Sequence, residues 1–154
     1  MLKEIVEVLF KFNIGIVQMP CPETFYAGLA RFWQVRDQYE NPGFKKFCRK
    51  LALETSSLIE EYLKRGYTVI GVLGVRGSPS CGVKHTNVGN WRGPPREAGQ
   101  HREVKGSGVF ISELKRVLKR KKLGVEFFEV DPKDVVNSAR RLELWIENRL
   151  KETQ

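Results

Sequence analysis

From Tyr67 to Val75 the chain reads YTVIGVLGV, a stretch with no charged residue and no regular alternation of polar and apolar side chains. A strand that shows one face to water alternates, whereas a parallel strand covered by helices on both faces does not. A helical pattern precedes it, with Phe44, Phe47, Cys48, Leu51, Thr55, Leu58, Ile59 and Tyr62 on one stripe between a start near Pro42 and a stop at Gly66. Another helical pattern follows later in the chain. A buried strand bracketed by helices constrains the fold more than any other feature here.

The remaining periodicities agree with it. Leu2, Ile5, Val6, Leu9 and Phe10 recur at helical spacing until Asn13 and Gly15 end the pattern. The apolar run Ile14 to Met19 reads as a buried strand stopped by Pro20, and Val125 to Val130 as another, opened by Gly124. Ser107 is the expected N-cap of a helix from Gly108 to about Lys121, and a last helix is expected from Pro132 to about Lys151, started by Asp131, Pro132 and Asp134. This succession predicts a three-layer α/β fold, a mostly parallel sheet with helices on both faces. At 154 residues one core is expected, so residues 1–154 are read as a single domain. Two stretches have no regular reading: Cys21 to Asn41, rich in aromatic side chains, and a long Gly/Pro-rich loop at about 76–106.

No apolar stretch approaches the roughly 20 residues of a spanning helix, and Glu4 and Glu7 interrupt the segment where a secretory signal would be apolar. A cytoplasmic protein without a membrane partner is expected. The 27 Lys and Arg exceed the 18 Asp and Glu, a formal charge of +9 that attracts anionic partners. Much of that excess falls on Lys115, Arg116, Lys119, Arg120, Lys121 and Lys122, where cations complement a helix dipole; a solvated face accounts for them better than a nucleic-acid footprint.

The three cysteines, an odd count, argue against a secreted disulfide framework and for thiols that react, ligate or are buried. Two lie in loops leaving the expected strands: Met19-Pro20-Cys21-Pro22-Glu23 and Gly77-Ser78-Pro79-Ser80-Cys81-Gly82. In open α/β sheets ligands bind at that edge. Neighbouring strands lie about 4.8 Å apart, close enough for two thiolates to face one substrate or metal centre. Flanking prolines restrict the Cys21 backbone, while Ser80 and Gly82 supply donors that tune a bound thiolate or hold an anion. Small buried thiols in structural turns are the alternative for both. Cys48 sits on the apolar stripe of its helix, where packing alone accounts for it, and its place in the second turn leaves it open as a third metal ligand. His85, Arg92, Arg96, His101 and Arg102, with Trp91, have the composition of a lid over an anionic or aromatic ligand, or of a surface loop. His85, soon after Cys81, is the better of the two histidines for acid–base or ligand work.

Cys21-Pro22-Glu23 is followed by Ala27-Gly28-Leu29, then Ser78-Pro79-Ser80-Cys81-Gly82, then Gly106-Ser107-Gly108-Val109 opening a helix that leads to a Gly-Val strand. In this order, from about Ile14 to Asp131, the chain resembles the uncharacterised-domain family that includes the thiouracil desulfurases. The resemblance implies an iron–sulfur enzyme, in which three cysteines hold a [4Fe–4S] cluster whose free iron takes sulfur from a thiolated nucleobase. Cys21 and Cys81 would be cluster ligands, with Ser80 and Gly82 beside it and Glu23 and Ser78 handling protons. The family's remaining cysteine follows an N-terminal strand that has no counterpart here. Either the start is shorter than in its relatives, or Cys48 substitutes, or this branch holds no cluster.

Two functions are expected to compete. One is a desulfurase or related sulfur-handling enzyme acting on a small thiolated compound. The other is a non-catalytic α/β module that holds a nucleotide or other anion at the strand ends, and RNA binding is a weaker third. Without an N-terminal strand a sheet edge would be open to a second copy, so a homo-oligomer is expected.

Overall fold

A computed structural model describes residues 2–89 and 101–153. The chain is an α/β protein. In order its elements are α1 (Lys3–Lys11), α2 (Pro22–Ala27), α3 (Arg36–Tyr39), α4 (Pro42–Lys64), β1 (Val72–Val75), β2 (His85–Gly89), β3 (His101–Lys105), α5 (Val109–Arg120), β4 (Phe127–Val130) and α6 (Val135–Thr153).

β1 and β4 pair in parallel, from Val72 opposite Phe127 to Val75 opposite Val130. Successive side chains on these strands enter different cores. Val72 and Phe127 pack with Phe44, Cys48 and Leu51 of α4 and with Phe110 and Leu114 of α5. Leu73, Phe128 and Val130 pack with Ile5 and Leu9 of α1 and with Leu142 and Ile146 of α6. A two-residue period in a run that is apolar at successive positions fills both cores at once. Gly71, just before β1, has no room for a side chain: a Cβ there would stand 2.5 Å from the Trp145 ring and 2.7 Å from the Glu126 carbonyl. The long helix α4 starts where Pro42 allows and where the Asn41 side chain accepts the Phe44 N–H at 2.9 Å.

The expected three-layer sheet of mostly parallel strands is not what forms among the described residues. There are two sheets of two strands each, β1–β4 parallel and β2–β3 antiparallel. The segment Ile14 to Met19 belongs to no ladder, and Ile16 and Val17 are more than half exposed. A short apolar run looks the same whether or not a partner strand lies beside it, because pairing depends on residues far away in the chain. The loop at 76–106 proves partly regular, with Thr86 of β2 opposite Val104 of β3. Those strands read HTNVG and HREVK and carry no apolar alternation to detect. Trp91, Arg92 and Arg96 of the expected lid lie outside the described residues.

Smaller corrections concern the ends. The segment Cys21 to Asn41, expected to be irregular, holds α2 and α3. Gly108, not Ser107, is the N-cap of α5, and the Ser107 hydroxyl instead donates to the Val83 carbonyl at 2.7 Å. α6 begins at Val135 rather than Pro132, since the Asp131 carboxylate first accepts the Lys133 N–H in a turn. Among the described residues no helix is long and apolar enough to cross a membrane.

Candidate functional site

The Ser78–Gly82 loop leaves the carboxyl end of β1 and folds back on it. The Val75 N–H donates to the Cys81 carbonyl at 3.0 Å, and the Gly82 N–H to the Ser78 carbonyl at 3.1 Å. Ser78 holds the turn, its hydroxyl accepting the Cys81 N–H at 2.9 Å. The loop's carbonyls then do what a capping side chain would do for α5: Pro79 accepts from Val109 at 2.9 Å and Ser80 from Ile111 at 3.1 Å. Such contact demands small residues. A Cβ on Gly108 would lie 2.4 Å from the Ser80 carbonyl carbon, and one on Gly74 2.4 Å from the Cys81 carbonyl oxygen.

The second cysteine loop meets this one. Cys21 is the N-cap of α2, with Pro22 in its first turn, so Glu23 follows at once and its side chain is 10% exposed. The Ser80 hydroxyl, fully buried, donates to Glu23 Oε1 at 2.6 Å and lies 3.4 Å from Cys81 Sγ. Glu23, Ser80 and Cys81 thus form one polar chain between loops separated by nearly sixty residues. Burial pushes the Cys81 thiol up to about 11, and the charges of Glu23 and Cys21 add to it against hydrogen bonds from Ser80 and Ser78. Cys81 is therefore a protonated thiol at neutral pH. Cys21 is exposed at the mouth.

Two groups outside the sequence reading complete this wall. Arg31 reaches Glu23 Oε2 at 3.4 Å with a side chain 25% exposed. Tyr39 is 1% exposed, its ring centred 4.5 Å from that of Phe44. Burial and the Glu23 charge push the Tyr39 hydroxyl up to about 12, opposed by the charge of the Arg31 guanidinium and its hydrogen bond to the hydroxyl. Cys48 lies beneath, 0% exposed in the core with Leu51 and Phe110. Burial first, then the Cys81 charge, pushes its thiol up to about 12.

His85 is turned to a different task. Its Nδ1 lies 2.7 Å from Glu129 Oε1, while Glu129 Oε2 accepts the N–H groups of Val83, Lys84 and His85 at 2.9, 2.5 and 2.9 Å. Burial disfavours this carboxylate's charge, but His85 and the three amides outweigh it and hold Glu129 below the ordinary carboxylate range. Lys115, expected on a solvated face, donates to the Val83 carbonyl at 3.0 Å and the Ser107 hydroxyl at 2.8 Å. Both residues anchor the chain just beyond Cys81. A sequence signal existed for Glu129, an acid set between Phe128 and Val130; Tyr39, Arg31 and Lys115 carried none. His101 meets the Trp33 ring edge to face, centroids 4.6 Å apart.

A polar cleft also opens at the carboxyl ends of β1 and β4, lined by residues including Arg76, Asn87, Glu103 and Asp131. Arg76 is committed there, bonding Glu103 at 2.6 and 3.0 Å and lying 3.5 Å from Asp131.

A cluster held by three thiolates does not fit the described donors. Cys21 is open and Cys81 half-buried, but Cys48 is sealed in the core. Among the described residues no group of three or more His, Cys, Asp or Glu side chains is placed to hold a metal ion.

No family model matches the chain, and no solved structure matches it. Among curated proteins it is similar to an uncharacterised protein of Methanocaldococcus jannaschii, 35% identical over 80 residues, which are 52% of this chain and 51% of that one. The chain thus spans about half the length of the curated relative it matches.

Proposed function

We propose that the site between the Cys21–Glu23 turn and the Ser78–Gly82 loop binds a small thiolated compound and exchanges its sulfur for the oxygen of water. The overall change converts a thiocarbonyl and one water into a carbonyl and one hydrogen sulfide, and no electrons are transferred. The reading is carried by the Glu23–Ser80–Cys81 chain, which joins a buried carboxylate to a protonated thiol through one hydroxyl. Glu23 accepts a proton as the water oxygen adds to the thiocarbonyl carbon. Cys81 gives its proton to the sulfur as the carbon–sulfur bond breaks, and Ser80 returns the proton from Glu23 to Cys81. The freed Glu23 carboxylate passes the adduct's remaining hydroxyl proton to the departing sulfur, leaving the carbonyl and hydrogen sulfide. Cys21 faces the substrate at the mouth, and Ser78 holds the turn that presents Cys81. No cluster held by this chain's three thiols enters the reading.

A carboxylate at the centre of the site disfavours the alternative of a bound nucleotide or other anion, because like charge opposes entry. The neighbouring cation, Arg31, is already beside Glu23. In the test, protein kept without oxygen is incubated with 4-thiouracil while loss of its absorption and release of sulfide are followed. Glu23→Gln and Cys81→Ser should each slow release by about 100-fold or more. Release that survives both substitutions, or no release by a wild-type protein assayed as purified and again after loading with iron and sulfide, ends the proposal. Release that requires loading would instead place the chemistry on a cluster.

A further inference from the structure

We propose that the polar cleft at the carboxyl ends of β1 and β4 binds a neutral sugar, holding the vicinal hydroxyls of a ribose-type ring between the Asp131 carboxylate and the Asn87 amide. The thiol chemistry is not needed for this, since none of Cys21, Glu23, Ser80 and Cys81 lines the cleft.

Three segments of the chain meet here. Val75 and Val130 end the two parallel strands opposite each other, so Arg76 and Asp131 follow them to the edge where open α/β sheets take their ligands. The β2–β3 hairpin closes the cleft. Its two-residue period sets His101 and Glu103 on one face, and the ladder puts Asn87 opposite Glu103. Gly77, at φ +76°, allows the close approach: a Cβ there would lie 3.3 Å from the Asn87 amide nitrogen. The space left is about 340 Å³, at the small end of the range of roughly 300–1,000 Å³ for sites that hold one small molecule.

Charge decides the class of ligand. Arg76 and Lys133 balance Glu103 and Asp131, and the Arg76 guanidinium is already engaged by both acids, 2.6 Å from Glu103 and 3.5 Å from Asp131. An anion would face two carboxylates and find the guanidinium taken, and a cation would have to compete with Arg76. Hydrogen bonding remains. Asp131 accepts the Lys133 N–H at 2.9 Å through Oδ1 and meets Arg76 through Oδ2, which occupies two of the roughly four lone-pair positions of a carboxylate. The others can accept hydroxyls, and the Asn87 amide offers a donor and an acceptor beside them. An acid at the strand ends is also the group that holds a ribose hydroxyl in doubly wound sheets. His101, edge to face with Trp33, adds aromatic surface for the C–H side of the ring.

The probe is methyl β-ribofuranoside, which carries the diol and no base. It is titrated into the isotope-labelled full chain while amide signals are followed by NMR. Signals of Asn87, Glu103 and Asp131 should shift saturably, and the 2-deoxy sugar should bind about tenfold more weakly, as expected when a charged acceptor loses its hydroxyl. Asp131→Asn keeps an oxygen for the Lys133 N–H; it should weaken binding about tenfold and abolish the preference for the diol. Asn87→Ala, which lies outside that turn, should also weaken binding. Glu23→Gln should leave sugar binding unchanged, so failure of the desulfurisation reading does not touch this one. No saturable shift in wild type overturns the proposal. Equal affinity for the two sugars does so as well, and so does a preference for the diol that persists at full strength in both cleft variants.

Discussion

Position 129 places a carboxylate inside Phe127-Phe128-Glu129-Val130, where burial alone would forbid a charge. Three successive N–H groups and the His85 ring satisfy it and so hold the chain just after Cys81 in place. Because the folded-state pKa is lowered, this group contributes stability that is present above its unfolded pKa and lost as pH falls through the folded value. Glu129→Gln should therefore be less stable than wild type at pH 7 by about 2–3 kcal/mol. The gap should narrow on acidification below about pH 4.5, the ordinary value for the side chain. Urea midpoints at pH 7 and again well below pH 4.5, at about pH 3, measure it, and a gap that does not change with pH would mean the charge is not what stabilises the loop. That an acid sat in an apolar strand was visible in the sequence; which amides it would hold was not, since they come from more than forty residues away.

At the scale of elements, the Ser78–Gly82 loop and the start of α5 are one unit. Backbone carbonyls of Pro79 and Ser80 cap the helix, and Gly108 lets them approach. Gly108→Ala should cost about 2 kcal/mol or more, because the new methyl meets backbone that cannot yield. It should also shift the Ser80 and Cys81 amide signals. Gly124→Ala, whose Cβ would meet nothing within 4 Å, serves as the control. Equal thermal midpoints for the two variants would refute the close approach. The motif residues Ser78 to Gly82 and Gly106 to Val109 could be singled out from the sequence, yet their mutual contact, and the displacement of the N-cap from Ser107 to Gly108, depended on that approach. β2 and β3 escaped notice because short polar strands are held by backbone pairing, which leaves no mark on side-chain pattern.

Across the whole molecule, the β1–β4 pair divides most of the buried apolar residues into two clusters, and Tyr39, Cys48 and Cys81 belong with the one built on α4 and α5. Leu142→Ala, in the other cluster, should lower stability by about 3 kcal/mol without changing affinity for 4-thiouracil. Phe44→Ala should lower stability by a similar or larger amount and also weaken binding, since its ring supports Tyr39. Paired measurements of urea midpoint and affinity test this, and equal weakening in both variants would show that the clusters are not independent.

Helices α1, α4, α5 and α6, the apolar character of β1 and β4, and the two cysteine motifs were determined by the sequence itself. Each rests on spacing, caps or composition among residues close together in the chain. The tertiary structure alone decided that Ile14 to Met19 stays outside any ladder, that Cys48 is sealed while Cys21 is open, and that Glu23 reaches Ser80. Those outcomes depend on which distant surfaces exclude water from each other, and a local pattern carries no record of that.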